Sequence, residues 1–342
     1  MSDTTYRERL QNLEGHAAWA ALGDYPGGPR ECKDKTVYSS SRLSAACGCT
    51  WAYKLSYEDC MPEETRALGS WRGTLTHRAI AKLHVENAWD AVPEVFAVAE
   101  AQSLEELETD DKPWSKRDCG VKDVADAAAE SLTMVQAYAA RNNPRAMPEE
   151  MRVKAIEAQG FMVVKHPRTK TCYRVSMTLD QIRGYYGDTL NITDIKTGAQ
   201  EPSQVFLARS KQFTIYGLGL KQGMFLDSYT GEFKSYAQYP ANMTYMYLPN
   251  LIPYKRASTK QGISYKAGDL RGTHEFPVIR NEEEYEKMSA EICRIIQIIR
   301  FKLFVRDDDD IRCKMCRHKA ACEAGINAKE ADVSLADMSD LY

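Results

Sequence analysis

Apolar residues recur at helical spacing in the first part of the chain, and after about residue 153 they alternate or run together as they do in strands. The helical pattern predicts helices over residues 39–57, 74–89, 121–138, 210–222 and 282–304. The strand pattern, rich in β-branched and aromatic residues, predicts strands over residues 155–164, 173–179, 190–195 and 243–248. Gly69 and Gly73 are expected to bracket a turn before the second helix. Helices, then a β-meander, then a helix and a strand indicate a mixed α/β core with helical elaborations.

Composition places the chain among ordinary globular proteins. It has 342 residues, of which 44% are hydrophobic and 27% charged. No apolar run is long enough to span a bilayer, and the N-terminus lacks the apolar core of a signal peptide. We therefore expect a soluble, cytoplasmic protein without a membrane partner. The formal net charge of −3 gives no global basic signature of a nucleic-acid binder, although a local basic groove remains compatible with it.

The most informative chemistry lies at the end of the third predicted strand, in Thr193-Asp194-Ile195-Lys196-Thr197-Gly198. Positions i and i+2 of a strand point to the same face, so Asp194 and Lys196 lie side by side while Ile195 turns into the core. A carboxylate beside an ammonium group suits metal-assisted hydrolysis, in which the carboxylate holds a divalent cation and the lysine steadies an attacking water. Taken alone, the same spacing also fits a surface ion pair.

Four further residues, before and after this pair in the sequence, are candidates for the same site. Asp180 ends the preceding strand, where it is a second carboxylate for a hard cation or simply a turn-forming aspartate. Gln212 and Tyr216 share one face of the following helix, as polar contacts to a substrate or as the polar edge of an amphipathic helix. His77 follows Gly73 by one helical turn and is a metal ligand or a structural histidine.

Together these residues resemble the RecB-type branch of the PD-(D/E)xK nuclease superfamily. That branch has a Gly-x-x-x-His helix, an aspartate at the end of one strand, an acidic-x-Lys motif on the next and Gln-x-x-x-Tyr on a helix. The matching positions occur in this order: Gly73, His77, Asp180, Asp194, Lys196, Gln212 and Tyr216. The resemblance implies a restriction-endonuclease-like fold, in which helices flank a mixed β-sheet.

The resemblance also implies roles. His77, Asp180 and Asp194, with the backbone carbonyl of Ile195, would bind Mg²⁺ or Mn²⁺, and Lys196 would orient or activate the attacking water. Gln212 and Tyr216 would position DNA in the active site. Such enzymes often carry another acidic residue on the strand before Asp180, and Glu157 stands there.

The cysteines form a second pattern. Cys313, Cys316 and Cys322 have the spacing Cys-x2-Cys-x5-Cys, and a tetrahedral metal site or an iron–sulfur cluster needs a fourth ligand. Cys49 is the best candidate and Cys47 the competing one. The segment around Cys49 resembles the entry segment of nucleases with an iron–sulfur clasp, the AddB-type nuclease domain and the CRISPR adaptation nucleases, although Thr50 replaces their usual proline.

That resemblance implies a [4Fe–4S] cluster on these four cysteines, which would tie the N- and C-terminal segments together. Structural Zn²⁺ on the same thiolates is the alternative. The implied domains are an N-terminal arm at 1–36, a nuclease domain at 37–325 with its catalytic core at about 153–250, and a C-terminal tail at 326–342.

We expect a metal-dependent deoxyribonuclease, an exonuclease that acts on DNA ends or single strands. The sequence has no Walker phosphate loop, so a helicase, recombination or adaptation partner would be a separate protein. Its length fits a stand-alone nuclease of phage or CRISPR-like type. The alternative is a catalytically silent DNA-binding or assembly subunit that keeps the fold. The sequence carries no signal for polarity of digestion or oligomeric state.

Overall fold

A computed structural model describes residues 36–60, 67–108, 114, 123–166, 168–198, 201–226, 231, 233–249, 273–306, 313, 316, 318–319 and 321–323. The predicted N-terminal arm, apart from Thr36, and the predicted tail lie outside these residues. The chain divides into two compact units. Unit 1 comprises residues 1–40 and 63–293, and unit 2 comprises residues 41–62 and 294–342.

The described helices and strands follow the order of the chain. The helices are α1 (Ser40–Gly48), α2 (Thr50–Tyr53), α3 (Leu68–Glu86), α4 (Val92–Glu108), α5 (Val124–Asn142), α6 (Gln204–Arg209), α7 (Lys211–Gln222) and α8 (Glu282–Arg300). The strands are β1 (Val37–Ser39), β2 (Val153–Lys165), β3 (Cys172–Gly184), β4 (Leu190–Gly198), β5 (Met224–Leu226), β6 (Phe233–Lys234), β7 (Asn242–Pro249) and β8 (His274–Val278). No helix in the described part of the chain combines the length and the apolar character needed to cross a membrane.

Unit 1 is built on one mixed sheet with the strand order β6-β5-β2-β3-β4-β7-β8, and β1 pairs with β3. The β2–β3 and β3–β4 pairs are antiparallel, which confirms the predicted meander. Strand β7 then pairs in parallel with β4, with Asp194 opposite Tyr245. With helices packed against the sheet, this is a mixed α/β fold consistent with the predicted restriction-endonuclease-like class.

Helices α3, α4 and α5 pack on the sheet through one apolar core that includes Ile156, Ile195 and Met246. The indole of Trp71 on α3 donates to the Ser103 carbonyl of α4 at 3.3 Å. Because Ile195 faces this core, its neighbours Asp194 and Lys196 must point away from it. The packing of the helices therefore decides which face of β4 carries the charged pair.

A buried polar network ties α3 and α5 to β3. The imidazole of His84 lies 2.6 Å from the hydroxyl of Tyr138, which also accepts from the side-chain amide of Gln181. Arg183 then donates to the side chains of Gln181 and Asn142, at 2.7 Å each. Buried polar groups that are fully hydrogen-bonded hold one arrangement of their neighbours. The network therefore fixes the strand segment that follows Asp180.

Some predicted boundaries are wrong. Gly69 and Gly73 form no turn, because α3 already begins at Leu68 and includes both. A Cβ added at Gly73 would lie 3.1 Å from the hydroxyl of Thr197, so this glycine allows α3 to approach β4 closely. The predicted helix over 39–57 is divided into α1, α2 and a π-helical turn at Lys54–Glu58.

Unit 2 joins the segment after Ser40 to residues that follow α8. The Thr50 hydroxyl donates to the Val305 carbonyl and accepts from the Val305 amide, both at 2.8 Å. The Ser56 hydroxyl lies 2.7 Å from the His318 imidazole. These hydrogen bonds connect segments about 260 residues apart without using any cysteine.

Candidate metal centre and active site

The candidate site lies where β3 and β4 separate. The first described pair of their ladder joins Gly184 to Leu190, and the last joins Gln181 to Thr193. Asp180 and Asp194 each lie one residue beyond that last pair. Beyond that point, Asp180 Oδ2 accepts the Ile195 amide at 2.6 Å, in place of a strand partner. The fork therefore presents two carboxylates, both nearly inaccessible to solvent.

Helix α3 places His77 at this fork. The close approach at Gly73 brings the first turns of α3 against β4, and His77 lies one turn later. Its Nε2 is 2.9 Å from the Ile195 carbonyl, and its Nδ1 is 3.7 Å from Asp180 Oδ1. The predicted partners His77, Asp180 and the Ile195 carbonyl are thus brought together.

Lys196 and Asp194 contact each other on the same face of β4. The ammonium group of Lys196 donates to Asp194 Oδ1 at 2.8 Å and lies 3.8 Å from Asp180 Oδ2. The other oxygen of Asp194, Oδ2, is buried without a hydrogen-bond partner. Because a buried carboxylate oxygen without a partner is costly, a cation is the natural ligand for this atom.

Glu157 joins this group from β2. Its Oε1 lies 3.1 Å from Nδ1 of His77, and it stands opposite Asp180 across the β2–β3 ladder. Its backbone φ is +45°, in the left-handed region that a residue with a side chain seldom adopts. Such strain costs about 1–3 kcal/mol and is typically retained at functional sites. The acidic residue expected on this strand is therefore held close to the predicted ligands.

The ligand atoms of His77, Glu157 and Asp180 all lie within 4.8 Å of one another, and no other such group occurs among the described residues. Asp194 is outside this group, and its Oδ1 accepts from Lys196. The donor set of this group is one imidazole and two carboxylates, which suits Mg²⁺ or Mn²⁺. The residues present therefore fit a divalent cation.

The charges of the site perturb one another. Burial raises the pKa of Asp194 to about 6, with the nearby Asp180 charge adding to the effect. Burial also raises the pKa of Asp180. Burial opposes a charge on His77, but Asp180 and Glu157 outweigh it and raise the pKa of His77 to about 9. Likewise, Asp180 and Asp194 overcome burial and raise the pKa of Lys196, which is therefore a cation at neutral pH.

Two tyrosines flank the charged groups. Gln212 donates to the Tyr216 hydroxyl at 2.6 Å, as their spacing on α7 allows. Burial, followed by the charges of Asp194 and Asp180, raises the pKa of Tyr216 well above its ordinary value, which places this phenol beside the carboxylates. Sequence reasoning missed Tyr245, which lies opposite Asp194 on β7 and interacts electrostatically with Lys196. No signal in the sequence indicated the parallel pairing that brings it there.

In unit 2, one cavity of about 50 Å³ is lined by all four predicted cysteines, Cys49, Cys313, Cys316 and Cys322. Desolvation, followed by the thiols of the other three, raises the pKa of Cys313. The sulfur of Cys49 caps α2 by accepting the Ala52 amide at 3.4 Å. Cys47, the competing candidate, does not line this cavity.

Of the comparisons with known proteins, the match to a family model agrees with the fold. No curated protein matches the sequence. A solved structure described as "Crystal structure of SSO0001" has 12% identity and a TM-score of 0.33 over 80% of this chain and 94% of that chain. A likeness at that level supports no functional argument. The model of the PD-(D/E)XK nuclease superfamily matches residues 37–323, most of the sequence, and the chain therefore belongs to that superfamily.

Proposed function

We propose that the protein is a metal-dependent deoxyribonuclease whose active site is the fork between β3 and β4. The observation that carries this proposal is the buried Asp194 Oδ2 without a partner, beside a lysine and next to the group of His77, Glu157 and Asp180. Membership of a nuclease superfamily supports phosphodiester hydrolysis as the reaction. A buried carboxylate oxygen without a hydrogen-bond partner has little value as a purely structural element.

His77, Asp180, Asp194 and the Ile195 carbonyl would hold Mg²⁺ or Mn²⁺, and Glu157 is placed to join them or to orient His77. A divalent cation bound there supplies Lewis acidity and lowers the pKa of water. Lys196 remains protonated and donates hydrogen bonds, so it orients the attacking water and stabilises negative charge on the phosphate. Gln212 and Tyr216 contact the substrate beside it.

We infer from the resemblance to RecB-type nucleases that the enzyme is an exonuclease on DNA ends or single strands. Digestion of end-labelled linear DNA, covalently closed circular DNA and RNA of matched sequence, with Mg²⁺ or Mn²⁺, tests this inference. An exonuclease degrades the linear DNA and leaves the closed circle intact. Cleavage of the circle at the same rate would contradict the exonuclease assignment while leaving the nuclease assignment in place.

For unit 2 we propose a [4Fe–4S] cluster on Cys49, Cys313, Cys316 and Cys322. Their shared cavity supports it, together with the effect of the other three thiols on the pKa of Cys313. Structural Zn²⁺ on the same four thiolates is the alternative. Because metal binding contributes directly to folding, the role of the cluster would be structural.

Anaerobic purification followed by iron, sulfide and zinc analysis tests the cluster. A brown protein that contains iron and sulfide supports it, whereas a colourless protein with stoichiometric zinc contradicts it. The outcome does not affect the nuclease assignment, since the two sites use different residues.

A further inference from the structure

A short exposed helix stands between the strand that carries Lys196 and the helix that carries Gln212. This helix, α6, has Val205 60% and Phe206 57% exposed, and Arg209 is exposed as well. Single exposed apolar residues are common on protein surfaces. Two large ones in succession, directly before the helix that carries Gln212 and Tyr216, are more informative.

The exposure of Phe206 does not come from a loose segment. Ser203 caps α6 by accepting the Phe206 amide at 3.1 Å, and Leu207 is buried beneath the helix. Arg280, whose side chain is only 4% exposed, donates to the carbonyls of Leu207 at 2.8 Å and Ser210 at 3.1 Å. A nearly buried guanidinium thus closes the C-terminal end of α6 and holds the helix with its apolar face outward.

The same face of α6 carries a positive charge. Phe206 and Arg209 are three residues apart, so their side chains lie on one side of the helix. The side chain of Arg209 makes no hydrogen bond or ion pair with any residue in the described part of the chain. An aromatic ring with a nearby unpaired cation matches the two parts of a nucleotide, since the ring stacks on a base and the cation binds a phosphate.

The helix that follows α6 leads to the active site. Gln212 is the second residue of α7, three positions after Arg209, and Tyr216, one turn later, interacts electrostatically with Asp194 and Asp180. The groups in order are Phe206, Arg209, Gln212 and Tyr216. Phe206 and Gln212 are six positions apart in the sequence, and a few nucleotides can span the distance that so short a segment covers.

We propose that α6 is a docking surface for unpaired nucleotides of the substrate, with Phe206 stacking on a base and Arg209 binding an adjacent phosphate. The proposal rests on the proposed nuclease function and adds its selectivity. Bases within a duplex have both faces covered by their neighbours, so only a single strand or a frayed end offers a free face to Phe206. The surface therefore selects single-stranded segments at the entrance of the site.

Equilibrium binding in a Lys196→Ala parent tests the proposal without cleavage. The full-length protein is titrated into a fluorescently labelled thymidine homopolymer and, separately, into a blunt duplex. Phe206→Ala and Phe206→Leu are expected to bind the homopolymer about 5- to 150-fold more weakly, as for the loss of one stacked base. Phe206→Trp is expected to bind like the parent, and none of the three is expected to alter duplex binding.

Tyr186→Ala is the matched control. Tyr186 is 67% exposed, and it lies in the β3–β4 turn, roughly 20 Å along the strands from Asp180. This variant is expected to bind like the parent. Arg209→Gln is expected to lower the slope of log affinity against log salt by about 1, as for the loss of one phosphate contact.

The proposal would be overturned if Phe206→Ala binds the homopolymer as tightly as the parent does. It would also be overturned if Phe206→Leu binds the homopolymer as tightly as Phe206→Trp does. A parent that does not bind the homopolymer would overturn it as well. These outcomes are separate from the nuclease assignment. If wild-type protein cleaves DNA and Phe206→Ala binds normally, only the docking surface is wrong; if wild type cleaves nothing and Phe206→Ala binds weakly, only the nuclease assignment is wrong.

Discussion

Replacing Asp194 by asparagine should stabilise the metal-free protein while removing its function. Asp194 is 1% exposed, its Oδ2 has no hydrogen-bond partner, and burial together with Asp180 raises its pKa from 3.8 to about 6. Asparagine keeps the size of the side chain and can still accept a hydrogen bond from Lys196. The substitution therefore removes the buried charge with little change in packing.

The magnitude follows from the pKa. A carboxyl group with a raised pKa in the folded state destabilises that state once it ionises, so folding stability falls as pH rises from about 4 to about 6. The shift from 3.8 to about 6 corresponds to about 3 kcal/mol at pH 8, at roughly 1.4 kcal/mol per pKa unit. In the absence of divalent cations, Asp194→Asn should recover up to about 3 kcal/mol at pH 8 and almost nothing at pH 4.

The assay is urea unfolding with EDTA at both pH values, followed by tryptophan fluorescence. Asp188→Asn is the matched control, because Asp188 is exposed in the β3–β4 turn, and its effect should stay within about 0.5 kcal/mol. Addition of Mn²⁺ at a hundred times its dissociation constant should stabilise the wild type by about 2.7 kcal/mol and the variant far less. An Asp194→Asn protein that is less stable than wild type in EDTA at pH 8, or that gains as much from Mn²⁺, would refute the reasoning.

Three further predictions concern other parts of the molecule. Burial, followed by the charge of Arg183, lowers the pKa of His84 from 6.5 to about 3, so the folding stability should fall as pH drops from 6.5 towards 3. In thermal melts at a series of pH values, His84→Gln should weaken this dependence of stability on pH. An unchanged dependence would contradict the assignment. A Cβ at Gly217 would overlap the ring of Tyr285. Gly217→Ala should therefore lower the free energy of unfolding, measured in urea, by about 1–3 kcal/mol. An unchanged free energy of unfolding would show that the contact relaxes freely. Cys49→Ser should abolish the visible absorption of the purified protein whereas Cys47→Ser should keep it, and the reverse result would exchange their roles.

The core strands and the meeting of the predicted site residues at the fork were largely readable from the sequence. Alternating apolar residues define β2, β3 and β4, and the hairpin between β3 and β4 then brings Asp180 and Asp194 to one place. Helix α4 was missed although its sequence is helical. Pro93 lies in its first turn, where a proline is compatible with a helix, so a signal was available.

Other features depend on contacts between distant segments. The short strands β1 and β8 are missing from the predicted elements because their pairing with β3 and β7 depends on tertiary context more than on intrinsic propensity. The position of Tyr245 arises from the parallel register of β4 and β7. Likewise, spacing alone left Cys47 and Cys49 as alternatives, and only the folded segments place Cys49 on the cavity with the three later cysteines.

Cleavage of end-labelled DNA by wild type and by Lys196→Ala, with Mn²⁺ binding measured on the same preparations, tests the central claim most directly. Lys196 donates to Asp194 Oδ1. In the proposed mechanism Lys196 also stabilises charge on the phosphate, whereas other residues hold the metal. The variant should therefore still bind Mn²⁺ but cleave DNA about 10²–10³-fold more slowly, as for the loss of one electrostatic donor. Wild type that cleaves only with Mg²⁺ or Mn²⁺, together with this loss, is the predicted result; equal cleavage by both proteins, or cleavage that persists in EDTA, would contradict it.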